Sequence, residues 1–278
     1  MEYKNAAALV KHGYIYEETK GIGFFRAESL KQQQGLLHGF SARVGGISAP
    51  PYDTLNLGWS RPEPETNVTA NFKLFCMAAG LQYGQMCVVN YEHGTNVLPV
   101  TNKDCGRGFA REPLPFCDGL VTNDPNVVLI TSHADCGAYF LFDPIKHVIG
   151  LTHAGWKGTL GRIGARAVEL MQNEYGTDPK DIIASTGPCI CIDCFEVDME
   201  LAKCFEKEFD CACYRQGKPG KAQLDIEIPA VIQFMDAGLL PEHITMMQAC
   251  TYEMEDKLFS YRRDHGETGS MAAYMKLI

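Results

Sequence analysis

The sequence predicts an α+β fold: one domain over residues 1–278, with helices covering the faces of mainly antiparallel or mixed sheets. Three observations lead there. Strand-sized, β-rich runs follow one another from residue 117 to 152, separated by Pro, Gly and Asp turn signals. Two stretches, 67–80 and 160–175, carry apolar residues at helical spacing. Strands and helices do not alternate in a βαβ rhythm, and no glycine-rich phosphate loop of either standard pattern is present. A chain of 278 residues is long for one domain, but mixed folds of this size are often built on one continuous core.

Taken in order, residues 36–41 form a strand that runs into Val44-Gly45-Gly46, a turn or close backbone approach, and 50–61 is an irregular loop. Val68, Phe72, Phe75, Cys76 and Ala79 mark one face of a helix that Gly80 can stop in the left-handed conformation. Residues 86–90 are a short strand leading to His93, and 101–115 is the most loop-like region. Further strands are expected at 117–122, 127–132, 138–143 and 148–152. Ile163, Ala167, Leu170 and Met171 line the second helix, which meets Gly176. A strand follows at 182–186. Asp198 can cap a helix reaching residue 209, Pro229 suits the first turn of another ending at Gly238, and 244–250 is read as the last long strand.

Composition narrows the function classes. A formal net charge of -9 and a pI near 5.4 argue against a general nucleic-acid binder, which needs a basic face to neutralise phosphates. Hydrophobic residues make up 46% and charged residues 21%, as in an ordinary globular protein, and no tract is biased towards disorder. The longest apolar stretches are strand-sized and the opening MEYKNAAALVKHG lacks an apolar leader core, so a cytoplasmic protein without membrane association is expected. The twelve cysteines then read as mostly buried free thiols in a reducing compartment.

The strands at 138–143 and 148–152 flank Asp143-Pro144-Ile145-Lys146, and Asp-Pro opens turns. If Asp143 pairs with Lys146, extending the ladder places Cys136 opposite His153. Facing β-carbons lie ~5 Å apart, a gap that zinc bonds of ~2.1 to 2.3 Å can bridge. His93, after the 86–90 strand, is the best-placed third donor. Two imidazoles and one thiolate leave a tetrahedral position open, as a catalytic zinc requires. Three ordinary core side chains explain the same spacing equally well. His133, three residues before Cys136, competes as a ligand, but odd spacing on a strand directs it to the other face.

The blocks HGFSARVGG at 38–46, LNLG at 55–58, EHGTNV at 92–97, CDGLVT at 117–122, ADC at 134–136, HAGWKGT at 153–159, GPCI with CFEV between 187 and 197, and FSYRRD at 259–264 stand in register along nearly the whole chain. They resemble the YfiH-like family, also called the laccase-domain or polyphenol oxidase family. The resemblance implies an α/β/β/α layered domain and zinc bound by His93, Cys136 and His153. It also implies phosphorolysis of adenosine, inosine, guanosine and methylthioadenosine, with phosphate as co-substrate, together with adenosine deamination. Many relatives carry glutamine where this chain has Tyr91, and arginine where it has Lys157. Lysine keeps the charge but loses the bidentate fork that suits phosphate. Multi-copper chemistry is not expected, because the chain has eight histidines and no His-x-His pair.

Arg43, in a glycine-bounded turn, and Lys157, four residues after His153, are candidate contacts to phosphate or ribose oxygens; solvated surface charge explains each equally well. Asn56 is a candidate polar substrate contact or a turn stabiliser, and Asp118 is the analogous carboxylate after Cys117. Asp135 and Glu92 adjoin metal-ligand candidates, but neighbours on a strand point the other way, so the proton carrier stays unassigned. Cys189, Cys191 and Cys194 form a C-x-C-x-x-C cluster with only three local thiols, one short of a structural zinc site. Tyr261, Arg262 and Arg263 line a pocket or form a basic turn. The competing functions are a metal-independent cysteine hydrolase or deamidase using Cys136 and His153, and an interaction module whose zinc is structural.

Overall fold

The computed structural model describes residues 6–278 and consists of two large sheets packed face to face, with helices on both outer surfaces. The seven-stranded sheet runs in the order Lys11–His12, Ile244–Met246, Ile183–Thr186, Gly137–Asp143, Val148–Ala154, Gly119–Thr122 and Val97–Pro99. The six-stranded sheet runs Ile15–Thr19, Ile22–Arg26, Leu36–Ser41, Met271–Leu277, Val128–His133 and Met86–Val88. Both are mixed, with parallel pairs confined to the flanks. A smaller three-stranded sheet joins Glu196–Asp198, Lys221–Leu224 and Tyr214–Gln216.

The layering follows from how the strands divide their side chains. Along Gly137–Asp143, Phe140 and Phe142 point into the inter-sheet core with Phe40, Leu129 and Met275. Tyr139 and Leu141 point outward, onto the helices Ile163–Tyr175 and Glu227–Asp236. Every residue of this strand is buried, as happens when both faces of a sheet are covered. On the far side, the helix Glu65–Ala79 covers the six-stranded sheet through Val68, Phe72 and Phe75, packed on Phe24 and Tyr274. The result is an α/β/β/α sandwich.

Several boundaries move. The first predicted helix begins at Glu65 and ends, as expected, at left-handed Gly80 (φ 73). The second is interrupted: Trp156–Leu160 is separate from Ile163–Tyr175, because Arg162 adopts φ 62. Asp198 flanks the helix Met199–Phe209 but makes no capping bond; its carboxylate takes Lys221 Nζ at 2.7 Å instead. Asp225 caps the helix Glu227–Asp236 by accepting from the N–H groups of Glu227 and Ile228 at 2.8 and 3.0 Å. The strand expected over 244–250 stops at Met246, and the last long strand is Met271–Leu277, paired on both sides within the six-stranded sheet. No helix among the described residues is long and apolar enough to cross a membrane.

Candidate metal centre

Three segments far apart in the chain meet at the open end of the central hairpin. Cys136 immediately precedes Gly137–Asp143, His153 is the penultimate residue of Val148–Ala154, and His93 lies in the loop between Met86–Val88 and Val97–Pro99. One donor atom from each lies within 4.8 Å of the other two. The hairpin register differs from the arithmetic. Asp143 faces Val148 rather than Lys146, and Ala138, not Cys136, stands opposite His153. The turn is longer because Asp143 Oδ1 accepts from the N–H groups of Ile145 and Lys146 at 2.8 and 2.9 Å. The slip is two residues, and an even slip preserves the face, so Cys136 still reaches His153.

Asp118 organises this cluster. Thr152 faces Gly119, which brings His153 beside Asp118: the His153 N–H donates to the Asp118 carbonyl at 2.6 Å, and Nδ1–H donates to Oδ1 at 3.0 Å. In the neutral ring that bond fixes the tautomer and leaves Nε2 as the atom that could ligate a metal. The same carboxylate accepts the backbone N–H groups of Glu92, His93 and Gly94 at 3.2, 3.1 and 2.7 Å. These bonds hold His93 in the left-handed conformation, φ 57. One buried carboxylate thus places two imidazoles. Sequence reasoning set Asp118 down as a substrate contact; in the structure it is fully buried and its carboxylate takes four donors.

Burial alone would raise the Cys136 thiol, but the His153 and His93 imidazoles outweigh it and bring the group to about 6. Burial alone would lower His153, yet the Cys136 sulfur and the Asp118 carboxylate raise it to about 9. Thiolate and imidazolium therefore stabilise each other in the metal-free protein. His133 is not available as a ligand. Its Nδ1–H donates to the Cys136 carbonyl at 3.0 Å, and its Nε2 takes the Thr131 hydroxyl at 2.7 Å. Tyr91 packs edge-on against the His153 ring, with centroids 4.9 Å apart, and its hydroxyl accepts from the Ser132 N–H.

The donor set suits zinc, which takes imidazole nitrogen and thiolate sulfur together. Gly155 leaves room for an ion among these donors. A β-carbon there would stand 3.1 Å from Cys136 Sγ, 3.4 Å from His93 Cδ2 and 3.9 Å from His153 Cε1, so any side chain would crowd the space between the three donors.

The remaining predicted residues divide. Lys157 is exposed in the short helix after Gly155, with Nζ 5.5 Å from the Trp156 ring centre. Arg43 is tied down: its guanidinium donates to the Asp53 and Glu255 carbonyls at 3.0 and 3.1 Å and lies 4.5 Å over Phe259. Asn56 is fully buried, accepts from the Gly58 and Ser270 N–H groups, each at 3.0 Å, and donates to Glu63 at 2.8 Å, bonds that brace the turn. Asp135 accepts from the Thr251 hydroxyl and the Arg262 N–H at 2.6 and 2.7 Å, and Glu92 is exposed. Arg263 holds the Thr251, Tyr252 and Leu258 carbonyls, while Tyr261 is exposed. Sequence reasoning missed Arg61. Its Nε donates to Ser270 Oγ at 3.1 Å, it lies 5.9 Å from the Tyr261 ring centre, and it feels the charges of Asp135 and Cys136. Its position three residues after LNLG was the available signal.

Residues 37–278 match the family model described as multi-copper polyphenol oxidoreductase laccase. The chain belongs to this family. The laccase-family chain is 32% identical over 255 residues to a Bacillus subtilis protein named purine nucleoside phosphorylase YlmD, covering 90% of this chain and 91% of that one. It is 34% identical over 257 residues to a Deinococcus radiodurans protein named purine nucleoside phosphorylase, covering 92% and 94%. Its fold matches the crystal structure of YlmD from Geobacillus stearothermophilus with a TM-score of 0.88 at 30% identity, over 94% of this chain and 97% of that one. The YfiH-like resemblance of the motif blocks and the layered sandwich therefore agree.

Proposed function

We propose that this laccase-family protein is a zinc-dependent purine nucleoside phosphorylase acting on adenosine, inosine, guanosine and methylthioadenosine, with adenosine deamination as a second activity. The observation that carries the reading is the convergence of His93, Cys136 and His153 around the space left by Gly155, with Asp118 holding the His153 imidazole and the His93 backbone. The names of the relatives support the substrate class. Copper chemistry of the multi-copper kind is disfavoured by eight histidines with no His-x-His pair.

In phosphorolysis an oxygen of phosphate bonds to the ribose anomeric carbon while the glycosidic bond breaks, and the purine leaves with the electron pair and takes up a proton. Zinc held by His93, Cys136 and His153 would supply Lewis acidity and fixed positive charge. Lys157 and Arg61 are the cations suited to the phosphate dianion; Lys157 is exposed two residues after Gly155, and Arg61 is held by Ser270. Arg43 acts through the loop it braces. Exposed Trp156, adjoining Gly155, offers an aromatic face for the purine. Fixed charges in a site with limited water favour charge separation at the glycosidic bond.

A second reading has a specific observation behind it. Cys136, His153 and Asp118 also form a nucleophile, base and orienting-carboxylate relay suited to a metal-independent cysteine hydrolase or deamidase. It leaves His93 without a role. The test is to incubate metal-quantified protein with adenosine or inosine, with and without phosphate, and to identify products by mass. Ribose 1-phosphate formed only with zinc and phosphate supports phosphorolysis, and inosine from adenosine supports deamination. Turnover by zinc-free protein, blocked by thiol alkylation, would replace the proposal with the hydrolase. Absence of turnover together with melting on chelation would make the zinc structural.

A further inference from the structure

A second cluster of metal-ligating side chains lies outside the centre described above. Cys191, Cys194, Cys250 and Glu253 each present a donor atom, and the four atoms lie within 4.8 Å of one another. They come from two segments almost sixty residues apart. Of the C-x-C-x-x-C cysteines, Cys191 and Cys194 belong to the group, Cys189 is buried and outside it, and Cys250 supplies the third thiol.

The backbone is arranged to hold the four together. A turn brings the N–H groups of Cys194 and Phe195 onto the Cys191 carbonyl at 3.1 and 3.0 Å, and this places both thiols of the C-x-x-C on one side. A second turn, Met254 N–H to the Cys250 carbonyl at 3.1 Å, sets Glu253 beside Cys250. The segments are joined where Cys189 and Cys250 form a bridge, with Cys189 N–H donating to Ala249 and Thr251 N–H to Cys189, each at 3.1 Å. Cys191 N–H points at Cys250 Sγ at 3.4 Å, the kind of backbone bond that stabilises a metal-bound thiolate. Cys194 Sγ lies 3.8 Å from a Glu253 carboxylate oxygen, and tetrahedral zinc with bonds of ~2.3 Å to sulfur and ~2.1 Å to oxygen would hold such a pair about 3.6 Å apart. All twelve cysteines are free, so no disulfide claims these sulfurs.

We propose that Cys191, Cys194, Cys250 and Glu253 form a second, structural metal site for zinc or another thiophilic divalent ion. Three thiolates and one carboxylate fill a tetrahedron and leave no position for a reactant. The site fastens the 189–195 loop to the 249–254 turn. Both segments hold Asp135, the residue before Cys136: Ile190 N–H donates to the Asp135 carbonyl at 3.0 Å and Thr251 to its carboxylate at 2.6 Å. The second metal therefore steadies the backbone that delivers Cys136 to the first centre.

Metal content of the purified full-length protein, measured by mass spectrometry after exhaustive dialysis, tests this. Wild type should hold two equivalents, Cys136→Ala should lose one and keep the other, and a Cys191→Ser, Cys194→Ser double variant should show the converse. Should the double variant fail to fold, cobalt substitution of Cys136→Ala gives an independent reading: sulfur-to-cobalt charge-transfer absorption is expected, roughly threefold that of a one-thiolate site. Glu253→Cys should retain the metal longer against a chelator. A metal-free Cys136→Ala protein without cobalt–sulfur absorption would overturn the proposal. So would a disulfide within the trio in protein purified under reducing conditions. Neither result bears on nucleoside turnover, so this proposal and the phosphorylase reading fail separately.

Discussion

Asp118 receives the Nδ1 proton of His153 at 3.0 Å while its carboxylate also gathers three consecutive backbone N–H groups around His93. The carboxylate is the hub through which two histidines, sixty residues apart, acquire a common focus. Replacing it with asparagine keeps the size but removes charge and acceptor capacity. Asp118→Asn should weaken zinc binding by about ten- to a hundredfold. Competition with a chromogenic chelator measures this, and unchanged affinity would deny Asp118 its positioning role.

Gly155 has φ −72, a conformation alanine adopts freely, so Gly155→Ala tests space rather than backbone strain. The added methyl stands 3.1 Å from Cys136 Sγ. Metal content and turnover should fall together while the thermal transition of the metal-free protein stays in place.

The thiolate–imidazolium pair makes the metal-free protein pH-sensitive. Cys136, lowered from 9.0 to about 6, contributes stability that is present above 9.0 and lost as pH falls through about 6. His153, raised from 6.5 to about 9, contributes stability present below 6.5 and lost as pH rises through about 9. The pair is intact between about 6 and about 9, and the metal-free protein should melt highest inside that window. Iodoacetamide should alkylate Cys136 with a midpoint near 6, and added zinc should protect it. A midpoint at an ordinary thiol value would show that the imidazoles do not act on Cys136.

On the phosphorylase reading, the charges of Arg61 and Lys157 serve phosphate, whereas Arg43 braces a loop. Loss of a charged hydrogen bond to phosphate costs ~1.5 to 3 kcal/mol. Arg61→Ala and Lys157→Ala should therefore raise KM for phosphate by roughly ten- to a hundredfold, with a smaller change in KM for nucleoside. Equal effects on both substrates would indicate general disruption.

Asn56→Ala separates turn from substrate. The Gly58 and Ser270 N–H groups would lose a buried acceptor, at about 1 to 3 kcal/mol of stability. Denaturant unfolding should show the loss, with KM for nucleoside unchanged in the folded protein; a raised KM at full stability would return Asn56 to the substrate site.

The parts legible in the sequence are those governed by short-range patterns. The apolar stripe Val68, Phe72 and Phe75 identified a helix, and Gly80 its end, because periodicity and left-handed φ are local properties. The hairpin was legible as a hairpin but two residues out of register, since the Asp143 side chain opens a longer turn that pairing arithmetic does not see. Met271–Leu277 was overlooked because an interior strand covered on both faces reads as a plain apolar run without alternation. Asp198 had the right residue type for a cap, but Lys221 on a neighbouring strand took its carboxylate.

By itself, the sequence determined the layered α+β class, the family, and the residue types capable of holding a metal, because composition, periodicity and motif blocks are written along the chain. Only the tertiary structure decided which groups share a focus. It gave Asp118 to two histidines, turned His133 away to Thr131 and Cys136, set Arg61 against Ser270 and Tyr261, and joined Cys250 and Glu253 to the Cys191–Cys194 loop. Each depends on where a strand ends against its neighbour in another part of the chain, a distance that spacing along one segment does not encode.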